Sequence, residues 1–126
     1  MRKKLIACSI GMIVLAGNVW AYNEDYFNRL ADAIYHAEGI HSTKPYGILK
    51  PFCNRNNASQ CRKACLQTIR KRFLLWQETL SSQSTSLPFI PYLALSYAPL
   101  NAKNDHTGSN KNWIKNVSHF MEKAEL

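Results

Sequence analysis

Glu38 closes the segment Ala33-Ile34-Tyr35-His36-Ala37-Glu38-Gly39, four residues beyond Ile34 and eight beyond Leu30. That spacing puts all three side chains on one face of a helix, and the face is apolar. Gly39 is a suitable helix stop, so the carboxyl group sits at the negative end of the helix dipole. Burial and the dipole both disfavour the ionised form, and the spacing therefore predicts a raised pKa. A carboxyl group held protonated near neutral pH is what a general acid requires.

Few other residues compete for a catalytic role. Histidines 36, 41, 106 and 119 are scattered, and no spacing pairs one of them with a cysteine nucleophile. No glycine-rich phosphate loop or zinc-protease motif occurs, so no cofactor and no metal site is expected. Cys53, Cys61 and Cys65 make an odd set, which in an oxidising compartment predicts one disulfide and one thiol. Cys61 and Cys65 lie one helical turn apart, and either could reach Cys53. The basic run Arg62, Lys63, Arg70, Lys71 and Arg72 reads as the solvated face of an amphipathic helix.

Four helices would have to position these groups, and the fold class predicted is all-α. The first covers roughly 24–38, capped by Asn23, with Phe27, Leu30, Ile34 and Ala37 inward. The second runs from about Ser59, its cap residue, to Leu80, along the stripe Cys61, Cys65, Ile69, Phe73 and Trp76. The third spans about 88–97 with Ile90, Leu93, Ala94 and Tyr97 on one face. The fourth spans about 110–123 with Trp113, Ile114, Val117, Phe120 and Met121 inward. The 41–58 connection is long for a small helical domain, a length that goes with functional or disordered loops, and it holds the apolar run Tyr46-Gly47-Ile48-Leu49, which is atypical of a solvated linker.

The chain opens Met1-Arg2-Lys3-Lys4, continues with a short apolar run to Gly17, and then offers Val19-Trp20-Ala21 as a cleavage site. This reads as a secretory signal peptide over 1–21, followed by one domain over 22–126 in the periplasm or outside the cell. The run is short for a membrane span, and stable membrane insertion is not expected. Leu5-Ile6-Ala7-Cys8 has the outline of a lipoprotein box, but the apolar run lies mostly after Cys8. Three of the 16 Lys and Arg residues fall in the leading segment and all 8 acids fall after it, leaving a net charge of about +5. A basic exported protein suits an anionic envelope polymer, with nucleic acid a poor candidate in that compartment.

In order along the chain, Glu38 with Gly39, the loop Tyr46-Gly47-Ile48-Leu49, Tyr92-Leu93-Ala94-Leu95-Ser96-Tyr97 and Asn112-Trp113-Ile114-Lys115-Asn116-Val117 resemble the lysozyme-like superfamily. The likeness is to its small soluble lytic transglycosylase and goose-type lysozyme branch. The resemblance implies a lysozyme-like helical domain that cleaves the bond between N-acetylmuramic acid and N-acetylglucosamine in peptidoglycan. It implies Glu38 as acid and base, with Tyr46, Gly47, Ile48 and Tyr97 at the sugar. The chain departs from the branch at three points: Gly39 replaces a serine, the loop lacks methionine and glutamine, and Ala98-Pro99 follows Tyr97. Two-carboxylate glycosidases need a second acid, for which Asp105 is the one loop candidate. The scarcity of acids favours transglycosylation, in which the muramic acid's own 6-hydroxyl attacks. The alternative is a non-enzymatic secreted helical protein that binds envelope polymer or a partner protein. The setting implied ranges over secretion machinery, wall remodelling and attack on a competitor.

Overall fold

A computed structural model describes residues 24–100, 102–103, 105 and 108–124. The expected signal segment and cleavage site, the expected Asn23 cap and His106 lie outside the described residues. Within them the chain is all-helical: α1 (24–38), α2 (Ala58–Ser81), α3 (Phe89–Tyr97) and α4 (Trp113–Ala124), with short 3-10 turns at Pro45–Gly47, Arg55–Asn57 and Ser109–Asn112. None of these helices is long and apolar enough to cross a membrane.

The core follows the predicted stripes. Leu30 and Ile34 of α1, Ile69 of α2, Leu93 of α3 and Val117 of α4 are fully buried, and each such side chain contributes roughly 1.5–3 kcal/mol by leaving water. Aromatic contacts set the packing of α1. Phe27 meets Phe73 of α2 edge-on at 5.1 Å between ring centroids, Tyr26 tilts against Phe89 of α3, and His36 stacks on Phe120 of α4 at 5.4 Å. Phe89, absent from the expected stripe of α3, is buried between Phe73 and Trp76. Ile114, expected inward, is 39% exposed. The buried line of α4 runs Trp113, Val117, Met121 at strict four-residue spacing, and Ile114 lies one position off it.

The start of α2 also differs from expectation. The residue before α2 is not Ser59 but Asn57, the end of the 3-10 turn Arg55–Asn57; a reciprocal box caps that turn, with Asn54 accepting from the Asn56 N–H and Asn57 accepting from the Asn54 N–H. Two arginines of the basic run bind α2 to α1 instead of standing free. Arg70 pairs with Glu24 at 2.8 Å, and Arg62 reaches Asp32 and Asn28. The disulfide joins Cys53 to Cys61, which ties the long loop to α2 and leaves Cys65 as a buried thiol.

Candidate functional site

Glu38 is the last residue of α1, and Gly39 ends the helix at φ +99°, a left-handed conformation that glycine adopts without a side-chain clash. The carboxyl group lies half-buried above the apolar face that carries Leu30 and Ile34. Burial raises its pKa above the ordinary carboxylate range, partly offset by a hydrogen bond from Trp113. That bond runs from the indole Nε1–H to Oε1 at 2.9 Å and links residues 75 apart in the chain.

The 46–48 loop presses against the acid. Gly47 has φ +66°, and a Cβ there would come within 2.8 Å of Glu38 Cδ and 2.9 Å of Oε1. Glycine is therefore required twice, for its backbone angle and for the space. Tyr46 precedes it at φ +61°, an unusual angle for a bulky residue. Three contacts hold it there. The Tyr97 hydroxyl donates to the Tyr46 carbonyl at 2.5 Å, the Tyr46 ring packs on Tyr35 at 5.0 Å, and Arg62 donates to the Tyr46 hydroxyl. Further along the loop, the Lys44 ammonium donates to the carbonyls of Cys53 and Lys50 at 2.9 and 3.3 Å. Its charge is thus spent inside the loop.

Tyr97 ends α3 and stacks on Trp113, the first residue of α4, at 5.3 Å and 26° between planes. The single phenol hydrogen goes to the Tyr46 carbonyl, so in the 3.3 Å contact between the Tyr97 oxygen and the Cys65 sulfur the neutral thiol is the donor. Burial raises the pKa of both groups, the Cys65 thiol to about 11, so both remain neutral at physiological pH. Two helix ends, one helix start and one glycine loop thus converge on a single carboxyl group.

Beside Glu38 opens a cleft of about 370 Å³ whose walls include Gly47, Leu49, Ser96, Tyr97 and Asn110. A second hollow of about 400 Å³ shares Gly47, Leu49, Ser96 and Tyr97 and adds Lys50 and Thr68. Leu49 is 63% exposed and stands in the wall of both. Glu38 is the one carboxylate among the described residues that line the cleft.

The residues expected at the site divide in two. Glu38, Gly47 and Tyr97 meet in the cleft, while Ile48 borders the second hollow. Tyr46 does not stand as a sugar wall. Tyr46 is 8% exposed, with its ring against Tyr35, while Leu49 three residues on is 63% exposed. Asp105, the loop candidate for a second acid, is engaged elsewhere among the described residues. Its carboxylate accepts from the Asn110 N–H and the Ser109 hydroxyl, capping the turn before α4, and it is not part of the cleft wall. Trp113 was expected only as a core residue. The one sequence signal for its role is that it begins the helix likened to the family's closing helix. Searches with family models, against curated proteins and against solved structures return no match. The likeness to lysozyme-like enzymes therefore rests on the sequence segments themselves.

Proposed function

We propose that the protein is an exported lytic transglycosylase that cleaves peptidoglycan glycan strands between N-acetylmuramic acid and N-acetylglucosamine. The observation that carries this reading is a half-buried carboxyl group with a raised pKa, alone among the described cleft residues as a carboxylate. Hydrolytic glycosidases place a second carboxyl group about 5–9.5 Å from the first to act as nucleophile or to activate water. A single carboxyl group suits a reaction in which the substrate supplies its own nucleophile.

In the first step protonated Glu38 gives its proton to the glycosidic oxygen. The bond from muramic acid C1 to that oxygen breaks, and the electron pair leaves with the oxygen. Glu38 becomes a carboxylate facing a positively charged sugar. In the second step the muramic acid 6-hydroxyl attacks C1, Glu38 takes the hydroxyl proton, and a 1,6-anhydro ring closes. No water is consumed and the acid is regenerated. Leu49 supplies an exposed apolar surface for a pyranose face, and Ser96 and Asn110 supply polar contacts. The disulfide fits an oxidising compartment, as the leading segment implies.

Digestion of purified peptidoglycan, read by mass spectrometry, tests this. Anhydromuramyl ends are expected, and Glu38→Gln should abolish them while the fold is kept. Products with reducing muramic acid ends would overturn the transglycosylase reading. Intact polymer that binds the wild type and Glu38→Gln equally would instead establish a non-enzymatic binding protein.

A further inference from the structure

We propose that Trp113 is a positioning residue that assigns the catalytic proton to one oxygen of Glu38, reserving Oε1 as an acceptor and leaving the acidic hydrogen on Oε2. The argument begins with the donor. An indole nitrogen donates and has no lone pair to accept with, so the 2.9 Å contact requires that Glu38 Oε1 accept. In a neutral carboxyl group the carbonyl oxygen is the better acceptor, so the hydrogen goes to the other oxygen. Gly47 closes the same side, lying so near Oε1 that even a methyl group would not fit. Oε2 is different. Among the described residues nothing donates to it, and none of their buried side-chain oxygens lacks a partner, so Oε2 is not sealed in the core, and Glu38 is part of the cleft wall.

Trp113 is itself held in place. It is 6% exposed, and its ring lies against Tyr97, whose hydroxyl is fixed to the Tyr46 carbonyl and Cys65. The indole N–H cannot follow Glu38 if the carboxyl rotates, so a flipped carboxyl loses the bond. The oxygen that delivers the proton to a leaving group is thereby set before substrate arrives. This assignment concerns the acid alone and holds for any substrate. Its link to glycan cleavage rests on the function proposed above.

Two readouts test it, one of them free of any activity. In nuclear magnetic resonance of the protein, the Trp113 indole N–H signal should shift with pH at the midpoint of the Glu38 carboxyl carbon. The Trp76 indole, bonded to the Leu87 carbonyl, serves as control. The Trp113 shift should vanish in Glu38→Gln. The other groups facing the carboxyl do not confuse the measurement. Lys44 on the loop is bonded to carbonyls, and Tyr97 on α3 and Cys65 on α2 have raised pKa values. An indole signal that ignores the Glu38 midpoint would overturn the proposal, whether or not the protein cuts peptidoglycan.

The second readout is Trp113→Phe, which keeps an aromatic ring against Tyr97 and removes only the donor. Turnover should fall about tenfold at unchanged KM, the scale of one hydrogen bond to a charged group. The alkaline limb of the pH profile should move up, since the bond that favoured the carboxylate is gone. A uniform loss with no movement of the limb would show a merely structural tryptophan. If the wild type shows no cleavage, the function proposed above fails and the indole titration still decides the proton assignment.

Discussion

The phenol of Tyr97 donates to the backbone carbonyl of Tyr46 at 2.5 Å, joining the end of α3 to a loop residue held at φ +61°. A left-handed tyrosine costs roughly 1–2 kcal/mol relative to ordinary backbone. A short hydrogen bond to its carbonyl, together with burial of its ring, offsets that cost. The result is a loop whose next residue, Gly47, lies against Glu38. Tyr97 thus acts on the acid from a distance, through the backbone of the loop and through the ring of Trp113.

Tyr97→Phe isolates the hydroxyl. The ring still stacks on Trp113, but the Tyr46 carbonyl loses its donor. Stability should drop by about 1–2 kcal/mol, the cost of an unsatisfied half-buried acceptor. Amide hydrogen exchange of 44–48 should speed up while that of α2 stays slow. Equal protection of the loop in both proteins would mean that Tyr97 does not hold it.

Gly47→Ala and Gly39→Ala separate strain from collision. Both glycines have positive φ, at +66° and +99°, but only Gly47 faces Glu38; nothing lies within 4 Å of the Cβ that would be added at Gly39. Gly39→Ala should cost about 1–2 kcal/mol from the backbone alone. Gly47→Ala adds an overpacking penalty for a total of about 2–5 kcal/mol, and it should remove the proposed activity by displacing the carboxyl group. Thermal or urea melts that rank the two variants in the opposite order would contradict the geometry.

The helices were legible because each buries one stripe at four-residue spacing, as Cys61, Cys65 and Ile69 show. Glu38 was legible for the same reason, as an acid continuing the Leu30 and Ile34 line to the last residue of the helix. Local periodicity does not reach further. Nothing in the run Tyr46-Gly47-Ile48 signals that the tyrosine is left-handed, that its ring joins the core, or that Leu49 is the exposed apolar residue of the loop. Likewise, Trp113 reads as core from its place in α4, because a hydrogen bond spanning 75 residues depends on how α1 and α4 dock, not on either helix alone. The choice between Cys61 and Cys65 was open because both face one way. The Asn54 and Asn57 turn settles it by bringing Cys53 beside Cys61.

The raised pKa of Glu38 makes stability depend on pH in a definite sense. A group that binds its proton more tightly when folded favours the folded state below its unfolded pKa. That contribution is lost as pH rises through the folded value. Glu38→Gln has no charge to desolvate, and its amide oxygen can still accept from Trp113. The variant should therefore match the wild type in acid and exceed it in stability at neutral pH. Denaturant melts at the two pH values measure this. A variant less stable than the wild type at neutral pH would show that the ionised carboxylate is favourably solvated where it sits.

Cys65 and the disulfide give the last prediction. Its thiol is buried, lies 3.3 Å from the Tyr97 oxygen and has its pKa pushed up to about 11. The thiolate is the reactive form, so alkylation at pH 8 should be negligible in the native protein and fast in denaturant. Reduction of Cys53–Cys61 should change this only indirectly. Closing that short loop is worth about 2–3 kcal/mol by restricting the unfolded chain, and losing it leaves the loop to Lys44, Tyr97 and the Tyr46 contacts with Tyr35 and Arg62. Cys65 should accordingly label faster after reduction, because its cover over α2 is the Tyr97 contact that the loop shares. Peptide mass mapping of the labelled thiol gives the answer. Rapid native labelling before reduction would contradict the burial of Cys65. Slow labelling after reduction would show that Tyr97 keeps its place without the disulfide.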